Sequence, residues 1–310
     1  MVKKYSNILI FVLIIFLLTS CQTTTDIKDE NNNSINVFQE STEESESTKE
    51  EKASIIDSLG TTIGTRFHVP EGYERTDFEG ENGAFADFMR NYSLKESGSP
   101  VLLYNGKSKI NQNAHVAVLE LPIENEDLQQ CADSVMRMYA EYLWASGQYD
   151  KISFHFSDGF EVSYLKWREG YRISFENDKP YWFKKTGYDD SYEAFQKYMR
   201  IIFAYAGTAS MEALESDYTS MEELKVGDVF LKGGSPGHVV MVVDVCENPQ
   251  GQKAFLLAQG YMPAQEFHVL KNPLHGVDPW YYEEELTYPL RTPEYTFQEG
   301  SLKKLNYLHR

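Results

Sequence analysis

The chain has 310 residues, a net charge of −18 and three cysteines. That length suits one sizeable domain or two small ones, and a surface so acidic repels nucleic acid and anionic lipid. With no CxxC, HExxH or EF-hand loop in the sequence, nothing points to a bound metal or another cofactor.

Residues 1–20 have the three zones of an export signal: Lys3 and Lys4, an apolar run from Ile8 to Leu18, and small residues before Cys21. The apolar run is shorter than the roughly 18 residues a membrane-spanning helix needs, so a cleaved signal is the better reading. Leu18-Thr19-Ser20-Cys21 resembles the lipobox of bacterial lipoproteins. That resemblance implies that Cys21 is acylated and becomes the first residue of the mature chain, anchored in a lipid bilayer outside the cytoplasm. Gln22 is compatible with sorting to an outer membrane where the organism has one. An ordinary cleaved signal with an incidental cysteine is the alternative. Residues 21–59 then form a lipidated, acidic tether; Gln22–Asp57 holds ten acidic residues against three lysines and few apolar side chains. Such a segment buries too little surface to offset its ordering entropy and is expected to stay disordered. With the signal at +2 and the tether at −7, the remainder carries −13.

Residues 60–310 are expected to form a single globular α+β domain. Ala114–Leu121 alternates as a strand does. A helix is predicted from Asp127, with Gln130 in the capping-box position. Leu128, Cys131, Val135, Met138, Tyr139 and Tyr142 then line one apolar face as far as about Trp144. Ile152–Phe156 and Glu161–Trp167 read as two strands joined at Ser157-Asp158-Gly159, and Tyr192–Tyr205 reads as an amphipathic helix ended by Gly207. Gly227–Leu231 is a short strand, the loop Lys232–Gly237 leads into the β-branched strand His238–Cys246, Asn248–Gly251 suits a type I turn, and Lys253–Gln259 returns.

The hairpin permits a geometric test. A turn centred on Pro249 and Gln250 sets Val240 opposite Gln259 and Cys246 opposite Lys253. His238, Val240, Val242, Asp244 and Cys246 then share one face with Gln259, and the apolar Val239, Met241, Val243 and Val245 share the other. Gln259 becomes a diagonal neighbour of His238 at about 7–8 Å, close enough for their side chains to hydrogen-bond. A one-residue slip would move Gln259 to the opposite face. Cys246 lies roughly 26 Å along the strand from His238, so a cysteine served by that histidine has to be Cys131. A cysteine near a helix N-terminus gains thiolate character from the helix dipole and unpaired N–H groups. Cys131 also falls on the apolar face, where a buried structural thiol is the plain alternative, and pairing with Cys246 in a disulfide stays open.

A cysteine at a helix start, a Gly-Asp strand, a strand opening with histidine and a polar residue beside that histidine together resemble the papain-like NlpC/P60 and CHAP peptidases. The resemblance implies a papain-like core, with a helix packed on a central antiparallel sheet and with insertions. It also implies hydrolysis of peptide or amide bonds, often in peptidoglycan stems. It assigns Cys131 as nucleophile, His238 as general base, Gln259 as the group orienting the imidazole and Gln130 as an oxyanion donor. The sequence departs from that pattern in having Gln-Cys-Ala-Asp where Asp-Cys-Ser/Gly is usual, and in the long separation of Cys131 from His238. The runs DLQQCADSVMRMYAEYL, YAGT, GDVFLKGGSPGHVVMVVDV and LLAQGYMPAQEFHVLKNP resemble, over nearly the whole mature domain, an uncharacterised family of bacterial lipoproteins carrying a domain of unknown function. Two other readings remain. One is a non-catalytic envelope binding protein whose ligand groove uses the loop of Gly234 and Ser235 with Tyr261 and Trp280. The other makes Ser235 the nucleophile, though a strand and not a helix follows it.

Overall fold

The β-branched run after His238 becomes the spine of the molecule. A computed structural model describes residues 54–309; the predicted export signal, Cys21 and most of the predicted tether lie outside the described residues. Seven strands, numbered in chain order, form a continuous antiparallel path: β1 His115–Val118, β2 Ser216–Tyr218, β3 Val229–Lys232, β4 His238–Glu247, β5 Lys253–Gln259, β6 His268–Leu270 and β7 Leu302–Leu305. Their spatial order is β1-β6-β5-β4-β3-β7-β2, so the two longest apolar strands, β4 and β5, sit mid-sheet. Short pairings by Glu74–Arg75 and Tyr281–Tyr282 extend the ends of β4 and β5 away from His238. The protein is thus an α+β protein with a large antiparallel sheet and several helices.

The longest helices among the described residues are α1 Gly80–Arg90, α2 Cys131–Ala145 and α3 Tyr192–Tyr205. Both α1 and α2 pack on β4, and the rings of Phe85 and Tyr139 stack between them at 4.4 Å. Helix α2 is buried from Ala132 through Ala140, so it has no free polar face; it is a central helix rather than the amphipathic one its spacing predicts. It also starts four residues later than predicted. The carboxylate of Asp127 accepts from the Ala264 backbone at 2.6 Å and from the Gln130 side chain at 3.1 Å, tying the chain down outside the helix. Gln130, extended at φ −92° and ψ −150°, takes the cap position, and its backbone N–H donates to Asp133 at 2.9 Å. Cys131 is therefore the first residue of the helix.

Two further predictions need correction. The predicted strand Glu161–Trp167 stops at Ser163, and Tyr164–Arg168 is helical. Tyr164 and Trp167, three residues apart, are both buried, and the Trp167 indole donates to the Ala194 carbonyl of α3 at 2.9 Å. The last residues assigned to the tether also belong to the fold: Asp57 N–H donates to Arg66 at 2.8 Å and His68 N–H to Ile55 at 2.9 Å.

The register of the β4–β5 hairpin carries more consequence. At the turn it runs one residue off the prediction: Cys246 faces Ala254, not Lys253, and Asp244 faces Leu256. Between Leu256 and Leu257 the register then shifts, so that Leu257 faces Val242 and Ala258 faces Met241. One extra residue in β4, a β-bulge, thus restores the predicted register at the His238 end, and continuing it sets Val240 opposite Gln259. Because alternation reverses across a bulge, Asp244 and Cys246 do not share the face of His238. Asp244 instead receives Arg75 and Arg90, each at 2.8 Å.

The chain leaving β5 lies hard against the start of α2. A Cβ on Gly260 would overlap Ser134 Oγ and come within 2.8 Å of the Gln130 carbonyl oxygen; only glycine permits this approach, which brings Gln259 beside the helix end that carries Cys131. Gly260→Ala is expected to destabilise the protein by about 1–3 kcal/mol, as overpacking does, measured by urea denaturation. An unchanged midpoint would mean that strand and helix have room to separate.

Candidate functional site

Placing Cys131 first in α2 sets its sulfur among backbone donors. Sγ lies within reach of its own N–H, that of Ala132, and that of Val239, the residue after His238. The helix N-terminus therefore meets the start of β4 at this thiol. These donors favour a thiolate, but burial outweighs them. Together with nearby Asp133 it pushes the thiol up to about 11, although the residue still reaches the surface in part.

His238 is 3% exposed. The rings of Tyr261 and Tyr295 pack on it, each at 4.8 Å, with Phe297 at 6.0 Å. Both tyrosine hydroxyls are raised by burial first; Glu294 raises Tyr261 next, and a charge on Cys131 would raise both further, which sets the thiol near the two rings that cover the imidazole. Burial also lowers the His238 imidazole to about 4, against the opposing pull of its bond to Gln259. At neutral pH the imidazole is neutral and carries one proton, whose position the neighbours dictate.

Those neighbours form a buried polar layer behind Gln259. His238 Nε2 lies 2.8 Å from Gln259 Oε1, and Gln259 Nε2 donates to Glu294 Oε2 at 2.7 Å. The carboxylate can only accept, so the amide nitrogen must face Glu294 and the amide oxygen must face His238. It follows that His238 Nε2 carries the proton and Nδ1 keeps a basic lone pair. Lys109 also donates to Glu294 Oε2 and lies 3.3 Å from His268 Nε2. His268 Nδ1 donates to the Glu266 carbonyl at 2.8 Å, leaving its Nε2 as an acceptor for Lys109 and, at 3.4 Å, for Gln259. Burial holds His268 well below the usual histidine range and lowers Lys109 as well, with Glu294 opposing the second shift.

The structure bonds His238 to Gln259, sets Cys131 beside the backbone N–H that follows His238, and disperses other candidates. The Gln130 amide is turned toward Asp127. Gly234 and Ser235 are exposed on the loop before β4, which Thr208 braces by donating to the Gly234 carbonyl at 3.2 Å. Tyr261 is half-buried over His238, its hydroxyl 3.4 Å from the Glu294 carbonyl, whereas Trp280 is fully buried and donates to His68 at 2.9 Å. Trp280 therefore lines no groove. Cys131 and Cys246 are both free thiols, and Cys246 is fully buried with Sγ 3.5 Å from the Ala254 carbonyl. A cleft lined by Asn272, Leu274, Tyr282, Glu285, Tyr288 and Arg291 includes none of the clustered residues. Among the described residues, no three His, Cys, Asp or Glu side chains converge as a metal site would require.

Lys109, His268, Glu294 and Tyr295 were invisible to sequence reasoning, because they come from segments with no long periodic pattern. Asp133 was legible only as a flank of Cys131. Its side chain is 5% exposed; burial raises its carboxyl to about 8, and Oδ1 has no hydrogen-bond partner among the described residues. Asp133 therefore holds a proton near neutrality and becomes a negative neighbour of Cys131 only in the alkaline range where the thiol itself titrates.

Residues 63–304 match the family described as Domain of unknown function (4846). No curated protein and no solved structure matches the chain.

The buried Asp133 carboxyl makes stability depend on pH. A carboxyl that keeps its proton in the folded state, to about 8, against an unfolded value near 4, contributes stability that is full below pH 4 and is lost as pH rises to 8. Asp133→Asn, which still offers an acceptor to the Gln130 N–H, should match wild type near pH 4. It should exceed wild type by several kcal/mol at pH 8, because wild-type stability falls by about 1.4 kcal/mol for each pH step between those two values. Urea titrations at both pH values measure this, and a difference independent of pH would contradict it.

Proposed function

We propose that this chain, which belongs to the family Domain of unknown function (4846), is an envelope-anchored cysteine hydrolase of peptide or amide bonds, with peptidoglycan stem peptides as its substrate class. The observation that carries the reading is the arrangement of three side chains. A thiol at the first position of a long helix adjoins a histidine whose Nε2 proton is held by Gln259, leaving Nδ1 as the base. A papain-like core is the fold relationship that goes with it. Acylation of Cys21, with a tether long enough to let the domain range over a membrane surface, accounts for the N-terminal sequence.

The thiol is raised and the imidazole lowered, so the resting pair is neutral and the chemistry is base-assisted. As Sγ attacks the carbonyl carbon, its proton passes to Nδ1 of His238. When the C–N bond breaks, that proton leaves on the amine. Water then gives its proton to Nδ1 and its oxygen to the acyl carbon, and the departing sulfur recovers the proton as a thiol. The developing oxyanion would meet backbone N–H groups at the positive end of α2. Gln130 would join them only by leaving Asp127.

The near-complete burial of His238 under Tyr261 and Tyr295 favours a second reading, a binding lipoprotein that does no chemistry. Incubation of the purified protein with peptidoglycan and synthetic stem peptides, followed by mass spectrometry, separates the two. The hydrolase reading expects new termini at one amide bond, none with Cys131→Ala, and a loss of about 10²–10⁴-fold with His238→Ala. Intact substrates, in samples that a known amidase does cut, would leave the binding reading.

A further inference from the structure

The polar layer behind Gln259 does more than fill space. Gln259 makes three contacts of fixed polarity: its oxygen meets His238 at 2.8 Å, and its nitrogen meets Glu294 at 2.7 Å and His268 at 3.4 Å. A glutamine amide is nearly symmetric in shape, so only the polarity of its neighbours selects one of its two orientations. Beside it sits a cation that would select the other one. Lys109 Nζ is 3.3 Å from His268 Nε2 and donates to the same Glu294 oxygen that the amide uses. Without that carboxylate, the buried ammonium would keep only the neutral His268 Nε2 at 3.3 Å, and it would draw toward itself the oxygen of the Gln259 amide, which had met the same Glu294 oxygen. The amide nitrogen would then point at His238, whose Nε2 would have to accept, and the imidazole proton would move to Nδ1.

We infer that Glu294 is the positioning residue of this site: by holding Lys109 and the Gln259 amide at one oxygen, it fixes the amide orientation and so keeps the lone pair of His238 on Nδ1. The orientation of the amide stands on the contacts alone, while its consequence for Cys131 rests on the hydrolase reading. Glu294 touches no reacting atom; it acts two hydrogen bonds away. Asn111, which donates to the other Glu294 oxygen at 3.2 Å, anchors the carboxylate from the outside.

The imidazole proton can be observed directly. Long-range proton–nitrogen NMR of the full-length protein in micelles, labelled with ¹⁵N-histidine, distinguishes the two tautomers at pH 7, and His238→Gln assigns the signal. Wild type should show the proton on Nε2, and Glu294→Ala should move it to Nδ1. Glu294→Gln keeps an oxygen that can accept from both Lys109 and Gln259, and it should preserve the wild-type pattern. The double variant Glu294→Ala with Lys109→Met removes the competing cation and should also restore it, which a variant that had merely lost its fold would not do. A wild-type proton on Nδ1, or an Nε2 proton that survives in Glu294→Ala, would overturn the inference.

Alkylation of Cys131 tells the two readings apart. With the inference and the hydrolase reading both correct, Glu294→Ala slows it by about 10²-fold, as loss of a general base does. A tautomer that shifts with no change at the thiol supports the role of Glu294 and counts against the hydrolase. Reactivity that depends on His238 with no tautomer shift does the reverse.

Discussion

The hydrogen bond between His238 and Gln259 exists because β4 carries one residue more than β5. A β-strand alternates its side chains with a period of two, so register decides whether two residues on neighbouring strands share a face. The turn at Asn248–Gly251 sets a pairing that, continued unbroken, would send Gln259 to the wrong side of the sheet. The bulge near Val243 absorbs one residue and corrects it. Gly260 completes the arrangement by letting the end of β5 lie against Gln130 and Ser134 at the start of α2. One hairpin and a helix more than 90 residues before it thereby deliver an imidazole, an amide and a thiol to one end of the sheet.

Burial then governs the chemistry of that pocket. It pushes Cys131 up and His238 down, so that a standing thiolate–imidazolium pair is disfavoured in the closed protein. It also keeps Asp133 protonated close to Cys131 and makes His268 a neutral acceptor behind Gln259. Against this, Glu294 and Lys109 remain a charged pair in the layer behind, where each offsets the cost of burying the other and their polarity reaches His238 through the Gln259 amide. The site couples two regimes: neutral groups around the thiol and a paired charge that orients them.

Much of this was legible in the sequence, for identifiable reasons. The β-branched run of β4 and the amphipathic α3 have strong periods, and α3 runs from Tyr192 to Tyr205 as predicted. Cys131, His238 and Gln259 could be placed on their elements because strand length and order exclude Cys246 as the partner of His238. The register was predicted one residue off at the turn and yet sets Val240 opposite Gln259, because the bulge, which has no sequence signal, supplied the missing residue. The start of α2 was misplaced because Asp127, a good cap by type, is bound to Ala264 across the structure. Glu294, Lys109 and His268 stayed hidden because tertiary contacts alone bring them together.

The chemistry of the pocket turns on whether His238 acts as a base toward Cys131. The direct measurement is the rate of alkylation of Cys131 by iodoacetamide in folded wild type and in His238→Ala, from pH 4 to pH 9. With His238 as base, the wild-type rate should climb as the imidazole loses its proton near pH 4 and then hold level to pH 9. The variant should be slow at pH 6 and rise only with thiol ionisation, roughly tenfold per pH unit. Superimposable profiles in the two proteins would show that the histidine does not serve the thiol, and would contradict the account.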